Sequence, residues 1–202
     1  MSQNDFYKNL EDRFRGASDT IRQRLDVYIP FLREMSTYTR AARAIDLGCG
    51  RGEWLDVARQ ENIRATGIDL DQTMLEEASS RGLEVEHGDA IAYLTRLDAE
   101  SVGLITAFHL VEHLPFTQLQ ELLAEIYRCL APGGIVILET PNPENLSVAT
   151  LAFNMDPTHN KPLPPALLSF VVEQCGYERT RILRLNENPK LHAKKPLTLA
   201  DV

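Results

Sequence analysis

The stretch IDLGCGRGEW, residues 45–54, decides the fold. It joins a short apolar run to an amphipathic segment and contains Gly48, Gly50 and Gly52. Glycine permits a sharp turn between a strand and a helix, and it lets a ligand approach the backbone N–H groups closely. The spacing G-x-G-x-G departs from the G-x-G-x-x-G of dinucleotide-binding proteins. The stretch therefore predicts a strand–turn–helix unit with a ligand site at the turn.

Short apolar runs alternate with amphipathic segments along most of the chain. The apolar runs are ARAIDL, ATGIDL, GLEVEHG, SVGLITAF, GGIVILET and YERTRILRL, and the helix-like segments between them are WLDVARQ, TMLEEASS, IAYLTRL, TQLQELLAEIYRCL and PALLSFVVEQCG. The sequence APGG at residues 131–134 predicts a turn into the fifth strand. This alternation predicts a Rossmann-like, doubly wound α/β domain with a mostly parallel sheet. We expect it in residues 41–185, after a helical segment in residues 1–40 and before a loose tail in residues 186–202.

The composition excludes several classes of protein. With 202 residues, 44% of them hydrophobic, the chain is long enough for one globular domain, and its net charge of −8 argues against a nucleic-acid partner. The polar N-terminus is unlike a signal peptide, and no apolar run approaches the ~20 residues that span a bilayer. Three cysteines without metal-like spacing are typical of a reducing compartment. We expect a cytoplasmic protein that does not insert into membranes.

Acidic residues end the first three predicted strands. Asp46 and Asp69 close the first two, and Asp89 follows the third. Ligands of open α/β sheets bind at the carboxyl ends of the strands, and an acid at the tip of the second strand accepts the hydroxyls of a ribose. Together with the glycine turn, these acids predict a nucleoside cofactor.

The motifs DLGCGRG, GIDLD, GDA and LAPGGIVILETPN, in this order, resemble those of class I S-adenosylmethionine-dependent methyltransferases. The resemblance covers residues 41–185 and implies S-adenosylmethionine as the cofactor. It implies that the methionine end lies over Gly48 and Gly50 near Asp46, and that the ribose lies on Asp69. The remaining contacts that it implies are Leu70 and Ile91 around the adenine, Asp89 and the adjacent Ala90 near its amino group, and the backbone after Phe108.

A narrower resemblance concerns FYKNLEDRFRG, FHLVEHLP, ETPNPENL and the DPTH…PLPP loop. These are similar to methyltransferase domains that modify bacterial surface polysaccharides, with O-antigen chain-terminating enzymes nearest. The similarity implies a lid in residues 1–40 that folds over the cofactor, with Tyr7 and Arg15 as contacts to cofactor or acceptor. It also implies further domains or partner enzymes of polysaccharide synthesis. Such domains close with a further antiparallel strand, so we expect this chain to be truncated at Val202 and to lack the last strand.

The stretch FHLVEHLP contains His109, Glu112 and His113 in the H-x-x-E-H order of a group of zinc peptidases. The cofactor motifs around it argue against a peptidase. One alternative makes His113 or His159 the general base for an acceptor hydroxyl, with Glu112 orienting it. Another makes these side chains hold a divalent ion that activates the acceptor oxygen. Because His109 is not an oxygen ligand, Mg²⁺ is disfavoured, and we assign no metal.

The sequence thus predicts an S-adenosylmethionine-dependent methyltransferase with His113, His159 and Glu112 as catalytic residues. The expected reaction is O-methylation of a terminal sugar or sugar phosphate of a bacterial surface polysaccharide. Two alternatives remain. One is an O-methyltransferase for a small metabolite such as a quinone precursor, and the other is a non-catalytic cofactor-binding domain of a larger assembly.

Overall fold

The computed structural model describes residues 18–185. Its first part is helical: α1 (Ser18–Leu25) and α2 (Ile29–Tyr38) are joined by the 3-10 turn Asp26–Tyr28. Leu25 of α1 is buried, and Leu32 and Met35 recur at helical spacing in α2 and are fully buried in the same core cluster. The two helices therefore pack against the rest of the domain as part of its core.

A five-stranded parallel sheet forms the centre of the domain, in the order β3-β2-β1-β4-β5. The strands are β1 (Arg43–Leu47), β2 (Arg64–Asp69), β3 (Glu84–His87), β4 (Val102–Phe108) and β5 (Leu130–Glu139). The helices after α2 are α3 (Glu53–Gln60), α4 (Gln72–Ser80), α5 (Ala90–Leu94), α6 (Phe116–Cys129) and α7 (Pro165–Gln174). The predicted Rossmann-like doubly wound fold is confirmed.

Helices cover both faces of the sheet, which explains why its central strands are apolar almost throughout. All seven residues of β4, VGLITAF, are buried, as a strand between two helical layers requires. On one face Ile105 packs with Leu119 and Leu122 of α6. On the other, Leu104 packs in a cluster with residues of α2 and α3. Among residues 18–185, no helix is long and apolar enough to cross a membrane.

The start of β5 differs from the prediction. The helix α6 runs to Cys129, and the APGG sequence lies inside β5 instead of forming a turn before it. The ladder to β4 changes register there, since Val102 pairs with Leu130 but Leu104 pairs with Ile135. Glycine and proline thus mark an irregularity within the strand. The last apolar run, residues 177–185, is not assigned as a strand, so β5 is the edge strand of the described sheet.

We predict that Gly67→Ala destabilises the domain, because an added Cβ would lie 2.6 Å from Cys49 Sγ and 2.6 Å from Leu55 Cδ1. Overpacking of this kind costs about 1–3 kcal/mol of unfolding free energy. The measurement is urea denaturation of both proteins. The matched control is Gly88→Ala, whose Cβ meets nothing within 4 Å and should change stability by less than about 0.5 kcal/mol. Equal stability of the two variants would contradict the close approach of β2 to the glycine turn.

Candidate functional site

The glycine turn lies between β1 and α3 and has the conformation that its sequence predicts. Gly48, Gly50 and Gly52 have φ angles of 70°, 51° and 80°, in the left-handed region that favours glycine. The N–H groups of Gly48 and Cys49 donate to the Ile68 carbonyl at 2.8 and 3.1 Å. The turn is therefore held against the end of β2.

Asp69, at the carboxyl end of β2, is joined directly to this turn. Its Oδ2 accepts the Gly50 N–H at 2.7 Å, and its Oδ1 accepts the Asp71 N–H at 2.8 Å. Each carboxylate oxygen can accept a second hydrogen bond. The carboxylate is thus fixed in orientation while it keeps acceptor capacity for ligand hydroxyls.

Asp46 lies deeper, at 2% exposure. It is paired with Thr106 of β4, whose hydroxyl donates to Asp46 Oδ1 at 2.7 Å. A buried carboxylate is costly unless it is paired and hydrogen-bonded, so a cationic ligand group beside Asp46 would be favourable. The arrangement can receive a ligand ammonium group.

The residues expected around the adenine lie at the outer part of the same edge. Leu70 is 67% exposed directly after β2, so it offers an open apolar surface. Asp89 caps α5 by accepting the Ala92 N–H at 2.9 Å, and Ala90 is the first residue of that helix. The capping role of Asp89 is therefore observed, and it occupies one of the two carboxylate oxygens.

An aromatic cluster closes the inner end of the site. Phe108 packs against Tyr28 and Trp54 with ring centroids 5.1 and 5.4 Å apart. These residues, with Asp46 and Gly48, line a cavity of about 2120 Å³ that also extends along β5. The N-terminal helical segment thus forms a wall of the cavity, through Leu25 of α1, Phe31 of α2 and Tyr28 of the turn between them.

A carboxylate–imidazole network crosses the ends of β4 and β5, and sequence reasoning missed it. His109 Nδ1 lies 3.1 Å from Glu112 Oε1, and its Nε2 lies 3.5 Å from Glu139 Oε1. Tyr28 donates its hydroxyl to the other oxygen of Glu139. Glu139 ends β5 as Asp69 ends β2, so the same sequence signal could have found it.

The backbone explains why His109 can reach both acids. Its φ angle is +56°, and its N–H still donates to the Glu139 carbonyl at 2.8 Å. Only Val111–His113 form a 3-10 turn, and no helix carries the H-x-x-E-H residues. His109 therefore turns toward Glu139, while His113 turns toward a different loop.

That loop contains His159 and meets the 3-10 turn closely. The His113 and His159 rings have centroids 4.7 Å apart, and Asn160 N–H donates to the Glu112 carbonyl at 2.8 Å. Glu112 is 1% exposed, and its Oε2 has no hydrogen-bond partner among the described residues. The three predicted catalytic residues thus lie close together, and the cluster contains one carboxylate oxygen, Glu112 Oε2, without a hydrogen bond among the described residues.

The cluster's ionisation follows from its surroundings. Burial lowers the pKa of His113, and the nearby His159 lowers it further, while Glu112 and Asp156 partly offset this. Burial alone would raise the pKa of Glu112, but the hydrogen bond and charge of His109 outweigh it, so the pKa is lowered. Glu139 follows the same pattern, with its pKa lowered by His109 and Tyr28 against burial. A neutral His113 beside an ionised Glu112 is suited to accept a proton.

The same cluster could also hold a metal ion. One possible ligand atom from each of Glu112, His113 and His159 lies within 4.8 Å of the others. Two nitrogens and one oxygen suit a borderline transition metal better than Mg²⁺.

Two predicted site residues, Tyr7 and Arg15, lie outside the described residues. The three cysteines are free thiols, and burial raises the pKa of Cys49 in the glycine turn, so its thiol remains protonated. The cavity lining includes His109 and Glu139 but neither His113 nor His159. Glu112, held by His109, therefore connects the cavity with the histidine pair.

Comparisons with known proteins agree with this geometry. Residues 20–180 match the model of a family described as a methyltransferase domain. A protein of Mycolicibacterium smegmatis named "Probable S-adenosylmethionine-dependent methyltransferase" is 30% identical over 73% of this chain and 59% of its own. A "Ubiquinone biosynthesis O-methyltransferase" of Psychrobacter arcticus is 27% identical over 73% of this chain and 63% of its own.

Among solved structures, a SAM-dependent methyltransferase from Archaeoglobus fulgidus superposes with a TM-score of 0.78 and 31% identity. The match covers 91% of this chain and 85% of that one. By contrast, the chain spans about three fifths of the length of the two curated relatives.

We predict that Asp69→Asn weakens S-adenosylmethionine binding about 10–100-fold, because hydrogen bonds to a charged group contribute about 1.5–3 kcal/mol. Isothermal titration calorimetry measures the affinity. Asp98→Asn, an exposed residue before β4 and away from the glycine turn, is the matched control and should bind as the unaltered protein does. Unchanged affinity in Asp69→Asn would refute the ribose contact.

Proposed function

The chain belongs to the class I S-adenosylmethionine-dependent methyltransferases, and from this premise we propose that it methylates a hydroxyl oxygen of a terminal sugar or sugar phosphate on a bacterial surface polysaccharide. The observation that carries O-methylation is the meeting of Glu112, His113 and His159, a cluster joined to the cavity lining through the contact of Glu112 with His109. A hydroxyl acceptor must lose its proton during transfer, and such a cluster can take it.

The residues present fit the cofactor. Three left-handed glycines form the turn, and at Gly48 a Cβ would lie only 3.3 Å from Leu110 Cδ1, so a side chain there would crowd the turn. The acids Asp46, Glu53 and Glu139 line the cavity and complement a ligand with a sulfonium and an ammonium group. When bound, S-adenosylmethionine supplies a methyl group whose carbon–sulfur bond breaks with the electron pair staying on sulfur.

The chain's own residues then have two tasks. The glycine turn with Asp46 and Asp69 orients the cofactor, and positioning of two reactants contributes up to about 7–11 kcal/mol to catalysis. His113 takes the proton of the acceptor hydroxyl, and the ionised Glu112 stabilises the imidazolium that results. His159, whose ring lies 4.7 Å from that of His113, is the second imidazole of this cluster.

The acceptor class rests on the motifs FHLVEHLP and DPTH…PLPP, which supply the whole cluster. A small phenolic metabolite is the second candidate, favoured by the relatives named ubiquinone biosynthesis O-methyltransferases. Alternatively, a metal ion on the cluster would help to deprotonate the acceptor hydroxyl. Loss of activity in EDTA, with recovery on adding Zn²⁺ or Mn²⁺, would identify such an ion.

We predict that a labelled methyl group passes from S-adenosylmethionine to sugars or sugar phosphates and not to amines. The measurement is radiolabel transfer onto a panel of glycans, phosphoglycans, phenols and amines. The control is Asp69→Asn at subsaturating cofactor, which should lose signal on every acceptor. Transfer confined to phenols would support the metabolite alternative, and transfer confined to amines would overturn O-methylation.

We predict that His113→Ala lowers kcat about 10²–10⁴-fold, the usual contribution of a general base. Since the pKa of His113 lies below its ordinary 6.5, the unaltered enzyme should keep its rate to pH 6.5 and lose it as pH falls further. The residual rate of the variant should lack this decline. The measurements are pH–rate profiles at saturating substrates, with cofactor affinity as the control. Full activity in the variant would end the base assignment.

A further inference from the structure

The loop that carries His159 also holds the ring of His113 through Thr158. Thr158 Oγ1 lies 2.9 Å from His113 Nδ1, across 45 residues of sequence. The same hydroxyl lies 2.6 Å from Asp156 Oδ1, and the Thr158 N–H donates to that oxygen at 2.8 Å. Asp156, Thr158 and His113 thus form one continuous chain of hydrogen bonds.

The direction of this chain follows from the inventory of donors. A threonine hydroxyl has one hydrogen and two lone pairs, whereas an ionised carboxylate only accepts. The Thr158 hydroxyl therefore donates to Asp156 and presents a lone pair to His113. Nδ1 of His113 must then carry the hydrogen of this bond.

A neutral imidazole has one N–H, so a hydrogen on Nδ1 leaves Nε2 unprotonated and basic. His159 is held in the same tautomer, since its Nδ1 lies 2.6 Å from the Phe153 carbonyl, which can only accept. In His113 the unprotonated nitrogen is therefore Nε2, whereas Nε2 of His159 lies 3.8 Å from Asp156 Oδ2.

Backbone contacts hold the loop in place around Thr158. Pro157 restricts the backbone between Asp156 and Thr158, and the His159 N–H donates to the Asp156 carbonyl at 3.3 Å. Asn160 ties the loop to the Glu112 carbonyl. The stretch DPTHN, residues 156–160, thus contacts the 3-10 turn that carries His113 through both Thr158 and Asn160.

We propose that Thr158, supported by Asp156, is a positioning residue that holds His113 in the tautomer with Nε2 as the base. This inference rests on the proposed function of His113. It explains why a threonine lies directly before His159: the hydroxyl orients the first histidine while the next residue supplies the second.

The test compares Thr158→Val, which keeps the branched shape and removes the hydroxyl, with Thr158→Ser, which keeps the hydroxyl. Thr158→Val should lower kcat about 3–10-fold, the usual effect of one neutral hydrogen bond, with acceptor KM and cofactor affinity changed less than about 2-fold. Thr158→Ser should restore kcat to within about 2-fold. Equal kcat in all three proteins, or an equal loss in both variants, would overturn the proposal.

A second readout does not depend on methyl transfer. Nitrogen-15 NMR of the His113 ring in the whole protein should show the hydrogen on Nδ1 in the unaltered protein and in Thr158→Ser. Thr158→Val should show a larger share of the Nε2–H form. An unchanged tautomer in Thr158→Val overturns the role of Thr158 even if His113→Ala is inactive. Full activity of His113→Ala refutes the proposed base instead, whatever the tautomer.

Discussion

The pairing of β4 between β1 and β5 is the constraint on which the rest of the structure depends. The whole of β4, Val102–Phe108, is buried, and its last backbone bond joins His109 N–H to Glu139. Because the strands are parallel, their carboxyl ends meet at one edge. A slip of one residue would exchange the faces of β4 and separate Thr106 from Asp46. The positions of Asp46 and of His109 therefore both depend on the pairing of β4 with its neighbouring strands.

Acids concentrate at this edge, and their charge gives the site its character. Asp46 and Glu112 are almost wholly buried, and Glu139 is held between a tyrosine hydroxyl and an imidazole. Such charges are costly without partners. His109 stabilises the charges of Glu112 and Glu139. A cationic ligand in the cavity would stabilise those of Asp46 and Glu139, which line it. His109 has a strained positive φ angle, which places its imidazole between two carboxylates. Functional sites often contain such strain.

The proposed acceptor residues lie on loops, whereas the proposed cofactor residues lie at strand ends. Asp69 is fixed by backbone groups within a few residues of β2 and the glycine turn. His113 and His159 meet only because the loop at residues 156–160 docks on the 3-10 turn through Asn160. Loops vary more readily than strands, so one sheet can retain its cofactor while the acceptor changes. The proposed acceptor residues and the proposed cofactor residues therefore lie on structurally separate elements.

The sequence by itself determined the alternation of strands and helices, the glycine turn, and the acids near the ends of β1 and β2, because each depends on neighbouring residues. It also singled out Glu112, His113 and His159. Only the tertiary structure decided that APGG lies within β5, and that the H-x-x-E-H residues form a 3-10 turn. It alone joined Glu139 to His109 and Thr158 to His113. These contacts link residues 30 to 45 positions apart, and no local pattern encodes which distant partner a side chain will meet once the sheet has closed.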